Sequence, residues 1–513
     1  MKKNVSIVII HYKTIELLEK CLSRLQFAGR SFDIIVVDND SKQDFHSLKK
    51  SFPEVQWILN ERNRGFSFAA NQGILAAHAR WILFLNPDVQ ISSYEVEELF
   101  HYAEKAQLDA LSPNFNDERY RKSLPTLSSL LSEFTPLNQL SYPNTGQKTL
   151  VGGCLLIRKK VIEKIGGWDE RFFLWFEDSD LTQRLLSANF RVGFAPFNIK
   201  HIGGASVGKL KINLRNQTFF HSMNIYSIKH FSGWKQKVLR FFVINRFTAQ
   251  SGYPISESGS TWVVPNMKLE LLLKFLETNR YFFSSAELTI VSSVLNTQNI
   301  WKLRATFPSV RFIPITKNKG FSSTVNVGMR VATTPLVGTL NDDVILNADT
   351  LPGLLAAFSP LIGSINPVIY SEHEELESAG IKILPKGKAV PITTLPDENL
   401  TSVSATNAAC VLYNASALAE TGLFDENFGS YLEDIDLSLR ISKHGFSNIV
   451  VKASHVIHLK HSSSKHFGKY KQYLDMKNWW LVILKNWSIT QTIQNFPMIL
   501  VERLRNISGL IKS

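Results

Sequence analysis

The chain has 513 residues, carries 57 Lys and Arg against 44 Asp and Glu for a net charge of +13, and is 44% apolar. Such a length exceeds one hydrophobic core and fits two domains of roughly 250 residues, near the upper limit for a single core; nothing in it is of low complexity. Cys21, Cys154 and Cys410 lie far apart, which argues against a closely spaced zinc site and reads as buried thiols in a reducing compartment.

Met1-Lys2-Lys3-Asn4 leads into the apolar run Val5–Ile10, which stops at His11-Tyr12-Lys13. The run is short for a signal peptide and reads as the first buried strand of an α/β domain. Glu16–Leu25 places Leu17, Leu18, Cys21, Leu22 and Leu25 at helical spacing. Asp33–Val37 is a second strand and ends in Asp38-Asn39-Asp40-Ser41; Val55–Leu59 is a third. The alanine-rich stretch Phe68–Ala79 predicts a helix, and Trp81–Leu85 a fourth strand ending in Asn86-Pro87-Asp88-Val89. Strand and helix alternating at this spacing make βαβ units and an open parallel sheet, whose ligands bind beyond the carboxyl ends of the strands. Asp38 and Asp88 both fall at such ends, where a nucleotide and its phosphates would sit. Singly, each is explained as a turn or cap residue. No apolar run reaches the ~18 residues of a membrane span, so a cytoplasmic location is expected.

The same landmarks then recur at an offset of 255 to 257 residues. Asn63-Arg64-Gly65-Phe66-Ser67 and Asn71 answer Asn318-Lys319-Gly320-Phe321-Ser322 and Asn326. Asn86-Pro87-Asp88-Val89 answers Asn341-Asp342-Asp343-Val344, and Gly152-Gly153-Cys154 answers Ala408-Ala409-Cys410. Glu177-Asp178-Ser179-Asp180-Leu181 answers Glu433-Asp434-Ile435-Asp436-Leu437. His201, five residues before Ser206, answers His458, five before Ser463. A period this long is a duplicated domain rather than a solenoid unit.

The first repeat resembles a family 2 glycosyltransferase of the GT-A fold, similar to the rhamnosyltransferase-type enzymes that build bacterial surface polysaccharides. The matching positions are Val5–Tyr12, Val36–Ser41, Asn63–Phe66, Asn71, Leu85–Asp88, Gly152-Gly153, Phe176–Asp178 and His201, within about the first 230 residues. The resemblance implies an α/β fold class: two tandem GT-A domains, 1–250 and 251–513, each a mostly parallel sheet flanked by helices. It implies an inverting transferase that takes a UDP- or dTDP-sugar, with rhamnose plausible. The acceptor would be a growing polysaccharide or a lipid-linked glycan.

Site roles follow from the same resemblance. Asp38 would accept the imide N–H of uracil or thymine, a donor that an acceptor-only side chain selects. Asn63, Arg64, Gly65, Asn71 and Asn86 would line the sugar and diphosphate, with Arg64 open to a second reading as a surface charge. Asp88 and His201 would bind Mn2+ or Mg2+, offsetting the charge of the diphosphate leaving group. Asp178 would be the general base, its pKa raised by its aromatic neighbours Trp175 and Phe176. Asp180 reads as a helix-start acid favoured by the macrodipole.

In the second repeat, Trp262–Met267 aligns with Ile7–Tyr12, Leu269–Leu276 with the first helix and Leu288–Val291 with the second strand. Ser292-Ser293 then stands where Asp38-Asn39 stands in the first. The base-reading carboxylate is missing, while Asp343 and His458 keep a metal pair and Asp434 a candidate base. This domain is a second transferase with altered donor recognition, an acceptor-binding module or a decayed partner; retained charged acids favour the first.

Basic residues are unevenly placed. Leu181 to Ser256 contains no Asp or Glu but holds Arg184, Arg191, Lys200, Lys209, Lys211, Arg215, Lys229, Lys235, Lys237, Arg240 and Arg246. Leu437 to Ser513 has twelve Lys and Arg against Asp475 and Glu502, and both segments are rich in aromatics. This suits a peripheral position on an anionic membrane surface, or a solvated basic helix face over a buried aromatic stripe. No nucleic-acid motif is present. A sugar-phosphate nucleotidyltransferase is excluded because His11–Glu16 lacks a glycine-rich loop; a non-enzymatic carbohydrate-binding scaffold remains as the rival.

Overall fold

The computed structural model describes residues 3–25, 32–117, 122–135, 146–203, 212–244, 259–282, 286–460 and 468–512. Ser206, Lys209, Lys211, Arg246 and Ser463, singled out above, lie outside the described residues. The chain forms two compact units, Met1–Ser251 with Asn296–Pro308, and Gly252–Leu295 with Ser309–Ser513.

The strands of the first unit are β1 (Val5–His11), β2 (Phe32–Asn39), β3 (Gln56–Asn60), β4 (Trp81–Leu85), β5 (Val89–Gln90), β6 (Ala110–Phe115), β7 (Cys154–Arg158) and β8 (Val192–His201). They pair in the order β3-β2-β1-β4-β7-β6-β8-β5. The first four are mutually parallel. β7 then runs antiparallel to β4 and β6, and β5 antiparallel to β8. The mixed half was not visible in the sequence, because β6 and β8 contain Pro113 and Pro196, which read as breakers. Both fit because the β6–β8 register shifts after Pro113, leaving Pro196 and Phe197 unpaired in a bulge.

A parallel strand covered on both faces needs apolar side chains pointing both ways, and β1 supplies them. Val5, Ile7 and Ile9 join Leu18, Cys21 and Leu22 on one face. Val8 and Ile10 join Ala69, Ala70 and Ile74 of the helix Phe66–Ala76 on the other. That helix comes so close to β1 that a Cβ on Gly73 would meet Val8 Cγ1 at 2.2 Å. It ends three residues before the alanine pattern does, because the Ser6 hydroxyl accepts the N–H groups of His78 and Ala79. The cysteines are free and buried, as expected.

The second unit's strands are β9 (Ser260–Asn266), β10 (Glu287–Ser292), β11 (Val310–Pro314), β12 (Leu336–Leu340), β13 (Val344–Leu346), β14 (Ile362–Ser371), β15 (Leu376–Ser378), β16 (Ile381–Leu384), β17 (Lys388–Pro391), β18 (Leu400–Ser402), β19 (Cys410–Asn414) and β20 (Ser447–His458). Their order, β11-β10-β9-β12-β19-β14-β20-β13, repeats that of the first unit strand for strand. β15 to β18 occupy the stretch between β14 and β19, whose counterpart between β6 and β7 carries, among the described residues, the helix Leu127–Phe134 instead. Gly328 repeats the role of Gly73, with Val263 Cγ1 at 2.4 Å from a Cβ placed on it. Among the described residues, no helix is long and apolar enough to cross a membrane.

Candidate active site

In the first unit, the carboxyl ends of β1, β2 and β4 carry the site. Parallel pairing sets His11 opposite Asp38, and His11 Nδ1 lies 2.7 Å from Asp38 Oδ1 with both side chains buried. The His11 Nε2 accepts the Thr14 N–H at 3.0 Å, so the ring proton sits on Nδ1 and is donated to Asp38. The second carboxylate oxygen accepts the Ser41 N–H. Sequence reasoning missed His11; the signal was its place as the last residue of the first strand, one register step from Asp38.

Asn39, also missed, fixes the next loop. Its amide donates to Asn63 Oδ1 and the Gly65 carbonyl, and its Oδ1 accepts the Arg64 N–H. Gly65 has φ +87°, and a Cβ there would meet the Phe173 carbonyl oxygen at 2.6 Å. The close approach that glycine permits is therefore to the Phe173 backbone, which also accepts the Phe66 N–H at 2.8 Å. Arg64 is buried, its guanidinium 3.9 Å from the centre of the Phe68 ring, which removes its reading as a surface charge. Asn71 donates to the Trp168 carbonyl and Glu170 Oε1 and accepts the Trp168 N–H. With its amide used up inside the protein, Asn71 pins the 168–170 loop and is not aimed at a donor. Arg304, in the same unit, pairs with the same Glu170 oxygen, Oε1, at 2.7 Å.

Asp88 follows β4, and the short pairing of β5 with β8 brings His201 beside it. His201 Nε2 is 3.0 Å from Asp88 Oδ1. The Asn86 N–H donates to the Gly153 carbonyl. A Cβ on Gly153 would lie 2.9 Å from the Asn86 amide nitrogen and 3.5 Å from the His201 ring. Its neighbour Gly152 faces Asp178, whose Cβ is 3.6 Å from a Cβ placed there. The Gly152-Gly153 backbone thus separates the Asp88–His201 pair from Asp178 by the thickness of one chain.

Asp178 opens the helix Glu177–Ser187, entered through Trp175 and Phe176 at φ +67° and +66°. Burial pushes its carboxyl up to about 6, although the Ser179 and Gly152 N–H groups pull the other way. Glu177 is raised further, by burial and then by the charge of Asp178. Asp180 lies in the first turn of this helix, as expected. It is also fully buried and pairs with Arg184, Lys229 and His230, the last two of which tie the helix to the long helix Ile212–His230. Despite burial, Arg184 and Lys229 hold it well below the usual carboxylate range.

Two protein ligands, one carboxylate and one imidazole, suit Mn2+ or Mg2+ if diphosphate oxygens and water complete the sphere. Among the described residues no group of three or more His, Cys, Asp or Glu is placed to hold a metal. The site fits a cation that arrives with a phosphate ligand.

In the second unit, Asn266 and Ser292 occupy the register positions of His11 and Asp38. The Ser292 hydroxyl donates to Asn266 Oδ1 at 3.0 Å, and the Asn266 amide donates to Asp342 Oδ2 at 2.7 Å. The carboxylate of the first unit's pair has become a hydroxyl. His458 Nε2 lies 3.2 Å from Asp343 and its Nδ1 3.3 Å from Glu377, on β15. Against the effect of burial, these two carboxylates push the His458 pKa up to about 9. Glu377 was missed because no repeat partner marks it. Asp434 accepts the Ala408 and Ile435 N–H groups and is raised by burial. Asp436 pairs with Arg440, Lys485 and Asn486, repeating the anchor of Asp180.

A family model described as "Glycosyl transferase family 2" matches residues 6–166 and again 285–360, one stretch in each repeat. Both repeats are thus similar to glycosyl transferase family 2. A second model, "N-terminal domain of galactosyltransferase", matches residues 135–204, a stretch that contains Gly152-Gly153 and Asp178. Among curated relatives, the low-salt glycan biosynthesis hexosyltransferase Agl10 of Haloferax volcanii is 25% identical over 38% of this chain and 65% of its own length. The chain thus spans just under two thirds of that protein. The N-acetylglucosaminyl-diphospho-decaprenol L-rhamnosyltransferase of Mycobacterium tuberculosis is 25% identical over 46% of this chain and 87% of its own. The rhamnosyltransferase WbbL of Escherichia coli is 24% identical over 37% of this chain and 80% of its own. A solved structure of GalNAc-T7 with UDP, GalNAc and Mn2+ superposes with a TM-score of 0.36 at 14% identity, over 45% of this chain and 48% of that one.

Proposed function

We propose that the first unit is an inverting glycosyltransferase that moves a sugar from a UDP- or dTDP-sugar to a glycan acceptor that is polymeric or lipid-linked, at the cytoplasmic membrane face. The observation that supports it is the convergence of the His11–Asp38 pair, the Asp88–His201 pair and Asp178 around Gly152-Gly153. Asp38, already holding one proton through His11, keeps acceptor capacity for a base imide. Asp88 and His201 would hold the divalent cation, which when bound would offset charge on the diphosphate. Asp178 takes the proton of the acceptor hydroxyl as its oxygen attacks the anomeric carbon. The bond from that carbon to the diphosphate oxygen breaks on the opposite face, so configuration inverts. A rhamnose donor is favoured by the similarity to the two rhamnosyltransferases.

The second unit keeps Asp343, His458 and Asp434, and we assign it a second transfer with different donor recognition. Its neutral Asn266–Ser292 pair favours a second reading, a glycan-binding module without turnover. Donor hydrolysis with Mn2+ or Mg2+ across UDP-, dTDP- and GDP-sugars tests both. Loss with Asp88→Ala alone leaves the second unit a binding module. Loss of different donors with Asp88→Ala and Asp343→Ala supports two transferases, and hydrolysis insensitive to both overturns the assignment.

A further inference from the structure

We propose that the first unit docks on an anionic bilayer through the helical segment that follows Asp178's supporting helix, and that this contact presents the acceptor side of the site to the membrane. The helix Gly233–Leu239 and the π-turn Arg240–Ile244 that continues it expose Trp234, Phe241 and Phe242, at 62%, 73% and 53%. Lys235, Lys237 and Arg240 stand exposed between them. Large aromatics on a small surface element would be covered in a protein that met only water. Their mixture with cations, in a segment without any Asp or Glu from Leu181 to Ser256, complements an anionic headgroup layer over an apolar interior. The acid on the neighbouring helix Leu127–Phe134, Glu133, is paired with Lys122 at 3.5 Å. A protein partner would need a matching acidic and apolar face; a leaflet supplies both by composition.

The surface is mechanically joined to the candidate base. The preceding helix Ile212–His230 carries Phe219, whose ring is 5.7 Å from Trp175 and 5.3 Å from Phe176. Its Ser222 hydroxyl donates to the Leu174 carbonyl, and its His230 pairs with Asp180. The chain then turns through Phe231 and Ser232 directly into the exposed aromatics. A bilayer bound there meets the side of the unit from which the loop before Asp178 is held. The significance for a lipid-linked acceptor rests on the transferase reading above; the docking itself does not.

The test is sedimentation of the full chain with vesicles of phosphatidylglycerol and phosphatidylcholine in equal parts, beside vesicles of phosphatidylcholine alone, without donor or acceptor. Wild type should partition onto the mixed vesicles, and added salt should weaken the binding. Trp234→Ser, Phe241→Ser and Phe242→Ser together should lower partitioning about tenfold or more. Lys235→Glu with Lys237→Glu should lower it about fivefold per charge removed. Donor hydrolysis without vesicles and the melting temperature should be unchanged in both variants, which separates this proposal from the fate of the transferase reading. Wild-type binding that is unaffected by either variant overturns the proposal. So does an absence of vesicle binding accompanied by a concentration-dependent dimer, in ultracentrifugation, that the triple variant abolishes.

Discussion

Burial raises the carboxyls of Asp178 and Glu177 together, yet only Asp178 has Gly152 opposite it, where the missing Cβ leaves room. If Asp178 is the base, kcat/KM should rise with pH through about 6, since the ionised form accepts the proton. Asp178→Asn should lower kcat by about 100- to 10,000-fold and flatten that limb, as read by initial rates across pH. Glu177 gives a stability prediction of determined sign. Its carboxyl moves from an ordinary 4.5 to about 8 on folding, so its contribution is intact below pH 4.5 and lost as pH rises through 8. Glu177→Gln should match wild type at pH 4 in denaturant unfolding and exceed it by about 2 to 4 kcal/mol above pH 8. Asp38, Asp88 and Asp178 were legible because carboxylates at strand ends and before a helix stand out against apolar runs. His11 was not, since its role appears only when strand register sets it beside a residue 27 positions away.

At the scale of elements, the parallel half of each sheet was readable from continuous apolar strands and alternating helices. The mixed half was hidden by prolines in β6 and β8, which a bulge in their parallel pairing accommodates. The glycine of the Asn-Arg-Gly-Phe motif shows how a motif can be noticed for one reason and needed for another. Gly65 joins the loop after β3 to the backbone at Phe173, and Gly320 does the same against Gly429, whose carbonyl oxygen would lie 2.5 Å from a Cβ. Gly65→Ala meets both a positive φ and immovable backbone, so it should lower stability by about 2 to 4 kcal/mol in denaturant unfolding. Asn71 belongs to the same lesson: a polar residue of a donor motif turned out to serve a loop 97 residues on.

The whole molecule is one topology written twice, and its second copy departs at two places at the carboxyl ends of its strands. Asn266 and Ser292 stand where the first unit has His11 and Asp38, and β15 adds Glu377 to the Asp343–His458 pair. The repeat itself was plain in the sequence. The strands β15 to β18 were not, because the stretch between β14 and β19 folds differently from its counterpart of equal length between β6 and β7. Asp88→Ala should abolish hydrolysis of the first unit's donor, while Asp343→Ala leaves that donor's rate within about twofold of wild type in the same assay. The distribution of thiols offers a different kind of access to this doubled architecture. Cys21 and Cys154 share the first unit's core and Cys410 lies in the second, all with no exposed surface. An alkylating reagent should therefore leave the native protein unmarked and stamp each half only when that half opens. Mass spectrometry of the modified peptides then becomes a clock with two hands, telling whether the halves unfold in one event or in succession without any label being engineered.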